Sequence, residues 1–198
     1  MRVHPLLFLL LAGPSSLAAQ WQLELLHGTA TSHGDAQADL DPAHPELQAY
    51  RPATWTLALA HDIGAWRFGL DLHRTTADLA EIGTSSSVTT NAVLAAWGLG
   101  FELARRIAGT AGAPSLLLGG GVVVDRWTFD VAHSTSRARV AVRGALEADL
   151  PISPAWGAVI RGEWLAGSSV FTQEELPEGF STRRATRLGV VLGMTRRW

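Results

Sequence analysis

Between Ala65 and His73 the two parities of the chain separate cleanly: Trp66, Phe68, Leu70 and Leu72 alternate with Arg67, Gly69, Asp71 and His73. Successive side chains of a strand point to opposite faces, so this segment predicts a strand with one apolar and one charged face. The same period of two recurs along the chain, and no stretch keeps a helical period. Predicted strands cover about 20–31, 53–62, 65–73, 89–104, 115–129, 137–150, 155–168 and 184–198. In the first, Trp21, Leu23 and Leu25 oppose Gln22 and Glu24; in the sixth, Val140, Val142, Leu146 and Leu150 oppose Arg139, Arg143, Glu147 and Asp149. In the fifth, Leu116–Leu118 and Val122–Val124 are apolar on both parities, which leaves the facing of Asp125 and Arg126 open.

The connections alternate in length. Short ones follow the second, fourth and sixth strands, at 62–65, 105–114 and 151–154. The others, at 33–52, 76–88, 130–136 and 172–183, are mostly longer and rich in turn formers. An even number of strands, each long enough for the roughly 9–11 tilted residues that cross a bilayer, predicts a closed antiparallel barrel. Open sheet edges are not tolerated in lipid, so the sheet has to close. The short connections are then periplasmic turns and the long ones extracellular loops.

The N-terminus reads differently. Arg2, an apolar run from Leu6 to Ala12 and small residues to Ala19 have the order of a secretory signal peptide. The expected organisation is a signal peptide over 1–19 and one barrel domain over 20–198. Cys is absent from the sequence, so no disulfide can staple the fold. A net charge of −2 gives no electrostatic reason to expect nucleic acid as a partner.

Eight Trp against one Tyr is heavy use of an amphipathic ring, and most of them fall at strand ends. Trp21, Trp66, Trp156 and Trp198 sit at the ends predicted periplasmic; Trp55 and Trp127 sit at the opposite ends. Trp156 and Trp164 share a parity eight residues apart. At about 3.3 Å per residue and a tilt near 45°, that is roughly 19 Å along the membrane normal, close to the apolar band of such barrels. These seven form two expected aromatic girdles. Trp97 falls mid-strand and outside them.

These features together resemble the small eight-stranded outer-membrane barrels of the OmpA/OmpX type. The resemblance rests on the signal, the alternating strands, the loop rhythm and a last strand, Leu188 to Trp198, that ends on an aromatic residue. It implies bacterial outer-membrane localisation, lipids and lipopolysaccharide as surroundings, the assembly machinery as a partner of the C-terminal strand, and a monomer. Arg196 departs from the pattern, because that parity usually carries an apolar residue.

The polar parity collects Glu24, Arg67, Asp71, Glu102, Arg143, Glu147, Arg161, Glu163 and Arg187. An eight-stranded barrel is just wide enough for side chains to fill it, so these charges are expected to pair as a structural plug. A gated narrow pore is the alternative use of the same face. Neither a cofactor nor a metal is expected. The acidic first loop, with His33, Asp35, Asp39, Asp41, His44 and Glu46, lacks the spacing of a calcium loop and reads as a solvated surface. His133-Ser134-Thr135-Ser136 keeps open a lipid-modifying enzyme, although neighbouring strand residues point apart. Gly119-Gly120-Gly121 has no following Lys-Ser or Lys-Thr and reads as barrel packing rather than a phosphate loop. Arg105-Arg106 and Arg196-Arg197 fall near the periplasmic rim, in water or against lipid phosphates. A soluble, lipocalin-like barrel is the remaining rival; it requires the apolar parity to face inward.

Overall fold

The computed structural model describes residues 21–39, 45–83, 87–129 and 136–198. The signal segment, Asp41, His44 and His133 to Thr135 lie outside these residues. Ten strands form one antiparallel sheet: β1 (Trp21–His33), β2 (Ala36–Ala38), β3 (Glu46–Ile63), β4 (Trp66–Ile82), β5 (Ser87–Ala108), β6 (Ser115–Phe129), β7 (Ser136–Pro151), β8 (Trp156–Ser168), β9 (Phe180–Thr182) and β10 (Arg184–Arg197). All but β2 and β9 close a barrel of eight strands. Closure is made by β1, which pairs with β3 from Trp21↔His61 to Thr29↔Ala53 and with β10 from Gln22↔Arg197 to His33↔Thr186.

The barrel is the reverse of a water-soluble protein. Outside, Leu70, Leu99 and Leu188 are each more than 60% exposed; inside, Glu24, Arg67, Glu147 and Arg161 are all under 5%. Charged side chains are almost never buried unless paired, and a large continuous apolar surface needs an apolar surrounding. The soluble rival required the opposite orientation.

Several strands outrun their expected ends at the long-loop side. β3 starts at Glu46 rather than near Ala53, and β4 continues to Ile82 rather than His73. Two effects hid these extensions. Above Leu72 the outward positions become polar, Arg74 and Thr76, so alternation fades while backbone pairing continues. A bulge between Tyr50 and Ala53, with Arg51 at φ 49° and Pro52 beside it, then shifts the register. One extra residue flips the parity of everything beyond it.

At the opposite end the turns are tight. Gly64 takes a positive φ of 61° between β3 and β4, and Arg106 fastens this turn: its backbone N–H donates to Ala65 (2.7 Å) and its guanidinium to the Gly64 carbonyl (3.0 Å). At the long-loop end, β2 pairs with both β3 and β9, tying the first loop to the last. Asp35, fully buried, lies beneath this ribbon. Its carboxylate accepts from Ser32 Oγ (3.2 Å), Ala49 N–H (3.2 Å) and Val170 N–H (3.1 Å). Asp35 therefore departs from the solvated acidic surface expected of the first loop and anchors it, while His33 and Asp39 are exposed.

Candidate functional site: a charged and closed lumen

The inward parity of each strand delivers one charge after another to the same interior, and they meet in layers. Nearest the short turns, Arg67 holds Asp62 (Nε–Oδ1, 2.8 Å) and Asp149 (Nη2–Oδ2, 3.1 Å). Arg106 and Gln22 share the other Asp62 oxygen, at 2.8 and 3.0 Å, and Arg197 donates to Asp149. In the middle, Arg67 reaches Glu147 (2.5 Å), to which Arg161 also donates through Nε (2.8 Å). Arg161 further contacts Glu24 (3.3 Å) and Glu102 (3.6 Å), and Arg143 pairs with Glu102 (3.2 Å).

Above this, Arg143 donates to Asp71 (2.5 Å), and His73 bridges Asp71 (Nδ1, 2.9 Å) and Asp125 (Nε2, 2.6 Å). Two inward glycines of β5 make room here. A Cβ at Gly100 would collide with the Asp71 carboxylate, and one at Gly98 with both His73 and Asp125. Arg187 lies 3.7 Å from Asp125 and places its guanidinium 4.6 Å from the centre of the Trp127 ring. A cavity of about 60 Å³ remains beside this cluster, lined by His73, Asp125, Glu163, Arg187 and threonines that include Thr54 and Thr75. It has the volume and polarity for a few waters.

The long-loop end is sealed by apolar side chains. Trp127, Leu94, Phe129, Val170 and Phe171 pack with Leu47 and small alanines into one buried cluster. Trp127 is thus not in the outer girdle: it is fully buried, because Asp125 and Trp127 share the inward parity of β6 and Arg126 points out. The girdle position expected of it is held by Trp97, which is 55% exposed. Trp97 lies eight residues from Arg105, the register partner of Trp66, the same spacing as Trp156 to Trp164. It looks mid-strand in the sequence only because β5 runs far past the apolar band. Trp21, Trp55, Trp66, Trp156 and Trp164 face outward, and Trp198 is half-buried, its N–H on the Trp21 carbonyl (3.2 Å). Arg196 lies over Trp156, 5.5 Å from the ring centre.

Glu24, Arg67, Asp71, Glu102, Arg143, Glu147 and Arg161 therefore come together in one network, with Glu163 and Arg187 at its upper edge. The lumen charges expected from the sequence do not include Gln22, Asp62, His73, Arg106, Asp149 and Arg197, and leave Asp125 open. These six continue a polar parity already recognised, Arg106 lying just past the expected end of its strand. Asp125 was hidden by the two-sided apolar character of β6. Ser136, from the sequence considered for hydrolysis, accepts from Arg126 Nε (2.6 Å). Among the described residues no cluster of His, Asp and Glu has the arrangement to hold a metal ion.

No family model matches the chain, and no curated protein matches it in sequence. Solved structures do match. Neisserial surface protein A is similar at a TM-score of 0.60 and 12% identity, over 90% of this chain and 97% of that one. The outer-membrane protein OprG from Pseudomonas aeruginosa is similar at 0.53 and 12%, over 91% and 96%. The fold is that of the small outer-membrane barrels, an all-β, antiparallel, closed barrel of eight strands.

Proposed function

We propose that the protein is an integral barrel of the bacterial outer membrane whose role is structural: a closed anchor that presents its loops at the cell surface. The observation that carries this reading is the doubly blocked lumen, ion-paired from Asp62 to Asp125 and capped by the Trp127–Phe171 cluster. A diffusion pore needs a continuous aqueous path, and a soluble ligand-binding barrel needs an apolar interior. His73, buried in the lumen, has both ring nitrogens engaged by carboxylates and serves the ion-pair network. The surroundings are outer-membrane lipids and lipopolysaccharide, assembly uses the C-terminal strand, and the working form is a monomer.

The test has two readouts. Outer-membrane fractions of cells expressing the full chain should contain a band that migrates differently before and after boiling. The purified barrel in planar bilayers should show no conductance steps. A soluble periplasmic protein without a heat shift overturns the membrane assignment, and steady channel openings overturn the closed anchor.

A further inference from the structure

Three consecutive cross-strand registers on the outer wall differ sharply in chemistry. The lower one reads Leu57↔Leu72↔Leu99↔Val124↔Val140 across β3 to β7. The upper one reads Ala53↔Thr76↔Ala95↔Thr128↔Ser136. Between them runs His27↔Trp55↔Arg74↔Trp97↔Arg126, an alternation of basic and aromatic side chains from β1 to β6. His27 stacks on Trp55 at 4.3 Å, and the Arg74 guanidinium lies 5.6 Å from the centre of the Trp97 ring. The lipid-facing band thus ends on a row with cations and no carboxylate, beneath a shelf of small and hydroxyl-bearing residues.

From this arrangement we infer that Arg74, Trp97 and Arg126 form a binding site for the net-anionic, phosphate-monoester headgroup of an outer-leaflet lipid. Two strand spacings of about 4.8 Å separate the two arginines, so they reach one headgroup from both sides of the Trp97 ring. Guanidinium is the side chain that takes phosphate oxygens in pairs. Acyl chains lie along Leu72, Leu99 and Val124 below, and the small residues above leave room for the headgroup. Arg126 already spends its Nε on Ser136 Oγ (2.6 Å), which fixes the plane of its remaining donors. The site faces the bilayer, so lipid is what covers it once the barrel is inserted. This inference rests on the outer-membrane reading.

At the other rim, Arg105 lies over Trp66 (5.7 Å) and Arg196 over Trp156 (5.5 Å). These are single Arg–Trp pairs on separate parts of the wall, and they supply the control. The full barrel, folded in dodecyl maltoside and verified by its heat shift, is titrated with lipid A, with phosphatidylcholine and with inorganic phosphate. Thermal loss of the folded band reports binding. Lipid A should stabilise the wild type, and R74A/R126A should weaken that binding at least about tenfold, the loss of charge-assisted bonds to phosphate. R105A/R196A should bind as wild type does. R74Q/R126Q keeps a long polar side chain without the charge and reads the same loss if the alanine variant folds poorly. Unchanged lipid A binding in both Arg74/Arg126 variants overturns the site. So does equal stabilisation by phosphatidylcholine, or by inorganic phosphate, the latter marking a plain anion site. Failure of the wild type to show a heat shift overturns the membrane reading itself, and the lipid site with it.

Discussion

Arg67 is the side chain on which most of the lower lumen converges, since it holds Asp62, Glu147 and Asp149 and lies 3.5 Å from Glu24. Removing it leaves Asp62, Glu147 and Asp149 to Arg106, Arg161 and Arg197 alone, one positive charge short in a buried interior. Arg67→Ala should therefore destabilise the barrel by about 3–5 kcal/mol, read from urea unfolding in lipid vesicles. An exposed pair such as Arg183–Asp39 (2.8 Å) should cost under about 1 kcal/mol when Arg183 is replaced by Ala. At Gly100 the effect is steric: even the methyl group of Gly100→Ala meets the Asp71 carboxylate, so the Asp71–Arg143–His73 cluster must shift. The expected loss is about 1–3 kcal/mol in the same assay. Gly120, whose added Cβ would meet only the Arg143 carbonyl at 3.5 Å, should accept Ala with little change.

At the scale of the element, the strand cores and the loop ends obey different rules. Within the apolar band each strand has one lipid face and one lumen face, and alternation alone fixed both the number of strands and most of the inward charges. β6 shows where this fails: with Val122, Val123 and Val124 in a row, parity is unreadable until its neighbours set the register, and Asp125 and Trp127 went unassigned or misassigned for that reason. Beyond the band the outward face meets water, hydrophobic contrast disappears, and the continuation of β3 and β4 is written only in hydrogen bonds. The β2–β9 ribbon and the Asp35 anchor were invisible for the same reason, because three-residue strands carry no period and an Asp in a polar loop looks like any other. Asp35→Ala tests that anchor. It removes the acceptor of two buried backbone N–H groups, so the loops should loosen while the barrel stays intact. Trypsin cleavage at Arg183 and Arg184 should accelerate, with the heat shift of the barrel unchanged.

For the whole molecule, the two blocks in the lumen act independently. Trp127→Ala combined with Phe171→Ala should open the long-loop half and admit water, yet leave the barrel non-conducting, because the ion pairs beneath still fill it. Conductance recordings check this directly. Salt should have little influence on stability up to about 1 M, since screening acts weakly on pairs shut away from solvent. The ion pairs also join parts of the chain that are far apart: Arg67 and Asp149 are separated by 82 residues, and Arg161 and Glu24 by 137. A slip of β10 by two residues against β1 would keep every apolar side chain facing lipid, so hydrophobicity cannot detect it. With β10 held to β8, the same slip would pull Arg161 on β8 away from Glu24 on β1 and break that pair across the seam. The lumen thereby serves as a checksum on closure: greasy faces tell the barrel which side is out, and only the charge pattern tells it that the last strand has docked in step.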